Sequence, residues 1–185
     1  MTLPVTGSQT VGPFFRIGMA PLFREEFAAE GVAGARVTIH GRVLDGDGMG
    51  VPDAQLEIWQ ADESGKYLEE EEKGTEPFYG FGRVPTNEKG EFRFTTIKPG
   101  CVAGPRNSAQ APHLVVLVFM RGLLRHLITR IYFGDEAANA SDLILELVPE
   151  ERRRTLIANR EEASSMTYVW NVRLQGEEET AFFDV

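Results

Sequence analysis

The feature that most constrains this chain is an alternation of apolar and polar residues with a period of two, repeated along its length. Val37, Ile39, Gly41 and Val43 alternate with Thr38, His40 and Arg42, and Ala54, Leu56 and Ile58 alternate with Gln55, Glu57 and Trp59. Phe92 and Phe94 repeat the pattern after the turn-like Asn87-Glu88-Lys89-Gly90, as do Tyr168, Trp170, Val172 and Leu174 near the end. Successive side chains of a strand point to opposite faces, so each stretch reads as a half-buried strand. Leu114 to Met120 is continuously apolar, which by periodicity alone fits a buried strand or a core helix. Its valines, and Ile131-Tyr132-Phe133 following Gly122, favour a buried hairpin.

Asp45-Gly46-Asp47-Gly48 tolerates positive φ and is predicted to reverse the chain between the first two strands. Helix signals stand only at the edges, at Pro21 to Ala29 and at Pro149 to Asn159, where proline and early glutamates suit a helix N-terminus. Glu69 to Glu72 reads as an exposed loop, and no internal repeat is visible. The expected fold is all-β: a two-sheet β-sandwich of immunoglobulin-like or transthyretin-like topology with short peripheral helices. A length of 185 residues suits a single domain, with residues 1–35 as an N-terminal arm and short helix and 36–185 as the sandwich.

Composition narrows the function. A net charge of -9 argues against a phosphate backbone as partner, because such binding needs a clustered basic surface. The one basic cluster, Arg152-Arg153-Arg154, follows two glutamates and reads as the solvated face of a short helix. One cysteine, Cys101, rules out an internal disulfide and a thiolate-rich zinc site. No apolar run is long enough to span a bilayer and no leader pattern is seen, so a cytoplasmic protein is expected. His40, His113 and His126 form no HxH, HxxxH or HExxH pattern, and each reads as a surface or hydrogen-bonded residue.

Two local features call for a reason. Ser8 to Phe15 places glycine and proline among hydroxyl and aromatic residues outside the strand pattern. Such a loop brings backbone close to a ligand, or else serves as an ordered arm against a partner. Arg130 sits beside Ile131 near the end of the proposed hairpin, and if it points inward its guanidinium needs an anion.

The chain resembles the intradiol ring-cleaving dioxygenases over nearly its whole length. The resemblance is carried by SQTVGPFF, GRVLDGDGMGVPDAQLEIWQADESGKY, GFGRVPTNEKGEFRFTTIKPG, APHLVVLVFMRG, HLITRIYFGDE, RRRTLIANRE and NVRLQGEEETAFFDV, in that order. It implies a β-sandwich and an enzyme that opens protocatechuate with O2 to 3-carboxy-cis,cis-muconate, in aromatic catabolism. It implies a non-haem ferric ion held by two tyrosines and two histidines, a donor set that suits ferric iron. Tyr67 matches the first tyrosine and His113 the first histidine. The second tyrosine is expected shortly after Lys98-Pro99-Gly100, where Cys101-Val102-Ala103 stands, and the second histidine is replaced by Val115.

A valine has no lone pair to offer, so the resemblance implies an alpha-type chain whose Fe(III) is bound by a beta-type partner in a larger symmetric assembly. Tyr67 and His113 are then remnants. Thr10, Gly12 and Pro13 would line the substrate pocket, with Arg130 as the catalytic and substrate-contacting residue. Two other readings compete: an autonomous iron dioxygenase, opposed by Val102 and Val115, and a non-enzymatic sandwich that binds a ligand or partner.

Overall fold

The computed structural model describes residues 5–68 and 78–184, so the expected loop at Glu69 to Glu72 lies outside the described residues. The chain is mostly β, with eleven strands and three short helices among those residues. In chain order the strands are β1 (Arg36–Leu44), β2 (Gln55–Trp59), β3 (Phe81–Pro85), β4 (Glu91–Ile97), β5 (Val102–Ala103) and β6 (Ala109–Gln110). They continue with β7 (His113–Phe119), β8 (Leu127–Phe133), β9 (Ile157–Arg160), β10 (Thr167–Val169) and β11 (Val172–Arg173).

The expected separate sheets are one hydrogen-bonded path, β11-β1-β10-β9-β8-β7-β2-β3, with β4 on the other edge of β1; β5 and β6 form a small ribbon of their own. The two groups of strands join where β8 runs parallel to β9 through Tyr132↔Ile157 and Phe133↔Ala158. They also share one core. Val37, Ile39, Val43, Phe92 and Phe94 of β1 and β4 meet Leu56, Ile58, Val84, Leu114, Val116, Val118, Ile131 and Phe133 of β2, β3, β7 and β8. Period-two alternation puts these residues inside and leaves His113, Val115, Arg130 and Tyr132 on the opposite, outer face.

The hairpin reading of Leu114 to Phe133 holds, since β7 and β8 pair antiparallel from His113↔Tyr132 to Val118↔Leu127. Asn87 to Gly90 turns the chain between β3 and β4, with the Asn87 side-chain oxygen accepting from the N–H groups of Lys89 and Glu91. The Asp45 turn also forms, its carboxylate accepting from Asp47 and Met49 at 3.0 and 2.8 Å. It does not join β1 to β2, however. It folds Gly50 and Val51 back onto Leu44 and Val43, while β1 takes β4, β10 and β11 as partners.

β1 carries β10 and β11 in succession along one edge, in register Thr38↔Thr167 to His40↔Val169 and then Val43↔Val172 to Leu44↔Arg173. The change of partner falls at Gly41. A Cβ built there would stand 1.6 Å from the Trp170 carbonyl oxygen, so the two backbones approach as only glycine permits.

The helices depart from expectation. Pro21 to Ala29 holds no α-helix, its first two residues ending a 3-10 turn at Ala20–Leu22; the helix of the arm is α1 (Pro13–Met19), just before that turn. Pro13 takes the first helical position, where a missing N–H costs nothing. Beyond it, backbone groups of residues 23–27 bond instead to β3 and β4, through Arg24 N–H to Arg83 and Phe27 N–H to Thr95. The region expected as a helix from Pro149 to Asn159 holds one turn, α3 (Glu150–Arg153), and a 3-10 turn at Arg154–Leu156, before the ladder of β8 recruits Ile157 as strand. The arginines there do more than face water: Arg152 donates to the carbonyls of Glu179 and Thr180, and Arg153 to those of Glu146 and Val148. No helix among the described residues is long and apolar enough to cross a membrane.

Candidate functional site

The outer face of β7 and β8 gathers three of the residues singled out in the sequence. Tyr67 is 43% exposed, and Arg130 lies close enough for its positive charge to act on the phenol. His113, only 3% exposed, shares a rung of the ladder with Tyr132, their rings 5.6 Å apart, and Val115 shares the next rung of this face with Arg130.

Arg130 is held from two sides. Its Nη1 donates to Gln110 Oε1 at 2.7 Å and to the Tyr132 hydroxyl at 3.2 Å, and its guanidinium carbon stands 5.9 Å from the Phe183 ring. Gln110 is fixed in turn by its amide N–H to the Ala103 carbonyl at 2.9 Å, so the β5–β6 ribbon braces the guanidinium. The remaining Arg130 nitrogens have no hydrogen-bond partner among the described residues. A charge-assisted donor is therefore left for an anion.

The Tyr132 hydroxyl passes on to Asp142, donating to Oδ1 at 3.3 Å. Asp142 is fully buried, caps α2 (Leu143–Glu146) through Ile144 and Leu145, and accepts the Ala111 N–H on Oδ2 at 2.7 Å. Burial pushes Tyr132 up to about 12, although Arg130 opposes the shift, so its phenol remains a neutral relay between cation and carboxylate. Burial likewise raises Tyr67 against the pull of Arg130.

His113 titrates the other way. Burial and then the Arg130 charge lower it to about 4, with the Ala111 carbonyl and Asp142 resisting. Its Nδ1–H donates to that carbonyl at 2.7 Å, which fixes the neutral ring. The unfolded chain, with histidine near 6.5, binds more protons than the native one between the two values. Stability carried by His113 is thus present above pH 6.5 and lost as pH falls towards 4, by about 3 kcal/mol in all. Urea midpoints measured across this range are expected to fall steeply for the unaltered chain and less steeply for His113→Gln.

The donors at this place do not suit a ferric ion. Tyr67 and His113 are one phenol and one imidazole; Tyr132 and Asp142 are already engaged with Arg130, with each other and with the Ala111, Ile144 and Leu145 N–H groups, and Val115 on the same face presents only methyl groups. Among the described residues no group of three or more His, Cys, Asp and Glu could hold a metal.

Thr10, Gly12 and Pro13 lie elsewhere. The Thr10 hydroxyl oxygen accepts the Gly122 N–H at 2.7 Å, at the tip of the β7–β8 hairpin, while Gly12 and Pro13 line a cavity of about 230 Å³ with Asp53 and Arg121. Phe15 lies 5.5 Å from Phe119, and Arg16 donates to the carbonyls of Pro52 and Thr86. This anchors the arm at the far end of the strands from His113, so the chain by itself does not bring Thr10, Gly12 and Pro13 to Arg130.

Sequence reasoning missed Gln110, Tyr132 and Asp142. For Asp142 the signal was present, an aspartate directly before the apolar Leu143-Ile144-Leu145, the pattern of a helix N-cap. Gln110 and Tyr132 carry no local signal, because their role depends on strand register.

The model of a family described as Dioxygenase matches residues 12–176. The protocatechuate 3,4-dioxygenase alpha chain of Burkholderia cepacia is 44% identical over 199 residues, covering 100% of this chain and 99% of the relative. The beta chain of that organism's enzyme is 31% identical over 188 residues, covering 96% of this chain and 78% of its own. Among solved structures, 3-chlorocatechol 1,2-dioxygenase of Rhodococcus opacus 1CP shares the fold with a TM-score of 0.66 at 19% identity, over 93% of this chain and 68% of that one. With its match to the alpha chain running end to end and the family model spanning most of its length, the chain belongs to the dioxygenase family, alongside the protocatechuate 3,4-dioxygenase alpha chains.

Proposed function

We propose that this chain is the alpha subunit of a protocatechuate 3,4-dioxygenase, which cleaves protocatechuate between its two hydroxyl carbons with O2 to give 3-carboxy-cis,cis-muconate. The observation that carries the reading is the end-to-end match to alpha chains. In this reading a beta-type partner holds the ferric ion, and the two chains form alpha-beta protomers of a symmetric cytoplasmic assembly. The poverty of donors around Tyr67 and His113 supports that division, as does the separate likeness to a beta chain, which points to two products of one ancestral sandwich.

The work of this chain's own residues is electrostatic and steric. Arg130 offers its free N–H groups to negative charge on the substrate, held in place by Gln110 and Tyr132 so that little reorganisation is needed. Thr10, Gly12 and Pro13, on an arm anchored at Gly122, would form a wall of the partner's pocket rather than of a pocket in this chain. Arg130→Ala in the co-expressed enzyme is expected to lower kcat/KM by about tenfold to a hundredfold while iron content stays at the unaltered level. Unchanged kinetics would remove Arg130 from the site. Iron and activity in the chain purified alone would remove the division of labour.

A further inference from the structure

A second concavity lies on the β2–β3 side of the sheet, where the arm returns along β3. A cavity of about 290 Å³ is walled by Leu22, Phe23, Arg24, Trp59, Tyr79 and Phe81. Phe23 bridges to Arg83 in parallel register, and the Arg24 N–H donates to the Arg83 carbonyl at 2.9 Å, so the segment is held against β3. Trp59 and Phe81 stand 4.6 Å apart in a tilted pair.

The polar content is uneven. Arg83 also borders the cavity, but its charge is met by Glu57 at 2.7 Å. Arg24 has no ion pair among the described residues; its guanidinium lies over the Tyr79 ring, 3.3 Å from the centroid, and its Nη1 is buried without any hydrogen-bond partner. The cavity thus joins aromatic walls to the charge of Arg24, which no acidic group among the described residues pairs.

We infer that this cavity binds a small aromatic carboxylate, its ring against Trp59 and Phe81 and its carboxylate taking the Arg24 guanidinium. A cation would be repelled, an aliphatic acid would forgo the ring contacts, and a nucleotide exceeds a space at the small end of ligand pockets. The site is separate from Arg130 and does not depend on the catalytic reading, because the ligand class follows from the cavity walls.

Benzoate tests it, since it carries the ring and the charge but no diol. Titrated into the full chain and followed by saturation-transfer NMR, benzoate is expected to bind saturably and at least tenfold more tightly than benzamide, its neutral counterpart. Arg24→Gln should bring benzoate down to the benzamide level, and Arg130→Ala should leave it unchanged. Equal binding of the two ligands, absence of saturation, or loss with Arg130→Ala in place of Arg24→Gln would each overturn the inference. If Arg24→Gln does not fold, the same comparison in the Arg130→Ala chain decides the matter, because a benzoate preference kept there does not come from the Arg130 donor and one lost there overturns the inference.

Discussion

Gly41→Ala is expected to prevent the chain from accumulating as a folded protein. The added methyl would meet the Trp170 carbonyl oxygen at 1.6 Å and the carbonyl carbon at 2.6 Å, both backbone atoms pinned by neighbouring bonds. Trp170 N–H donates to the His40 carbonyl at 3.0 Å and Arg42 N–H to the Asn171 side chain at 2.9 Å, on either side of the contact. Relief therefore requires β1 to part from β10 or β11, and both separations open the core around Tyr168, Trp170 and Val172. A cost above about 3 kcal/mol follows, a large part of the stability of an ordinary domain. Gly18→Ala, inside α1 with nothing within 4 Å of the new methyl, is the matched control and should be neutral or slightly stabilising. Soluble yield and urea midpoint of the two variants compare them directly; a folded Gly41→Ala chain of normal midpoint would show that the β1 crossing yields easily.

Asp142→Ala should be the most damaging change near the candidate site. It removes the acceptor for the N–H groups of Ala111, Ile144 and Leu145 and for the Tyr132 hydroxyl, all with Asp142 itself fully buried. Loss of a cap combined with stranded buried donors amounts to about 3 to 5 kcal/mol. Asp142→Asn keeps one oxygen for the helix cap but turns an NH2 towards one of its donors, so an intermediate loss is expected. Denaturant midpoints falling in the order unaltered, Asn, Ala would bear this out, and equal midpoints would mean that water replaces the carboxylate at little cost.

How much of this was legible beforehand depended on whether the signal was local. The β7–β8 hairpin and the Asn87 turn were readable because an apolar run and a turn sequence act over a few residues. The Asp45 turn was readable as a turn but not as to its partner, since β1 chooses β4, β10 and β11 over β2 through burial of a shared core. Helix limits failed at Pro21 because the backbone of residues 23–27 found strand partners, a tertiary bond that outweighs propensity. At the site, Tyr67, His113 and Arg130 were found through motif and resemblance. Their braces were not, because Gln110, Tyr132 and Asp142 come from three different elements that only the folded register brings to one guanidinium or to the phenol beside it.

The partners of β1 also set a timetable for synthesis. Its β4 edge is satisfied once Ile97 has emerged, but the opposite edge waits for Thr167 and Val172, near the end of the chain. At ordinary elongation rates that edge stays open for on the order of ten seconds, exposing strand backbone able to pair with another nascent copy. Translation speed and chaperone supply should therefore govern the yield of this chain, and a co-synthesised partner would shorten the lifetime of completed but unassembled chains rather than the wait itself.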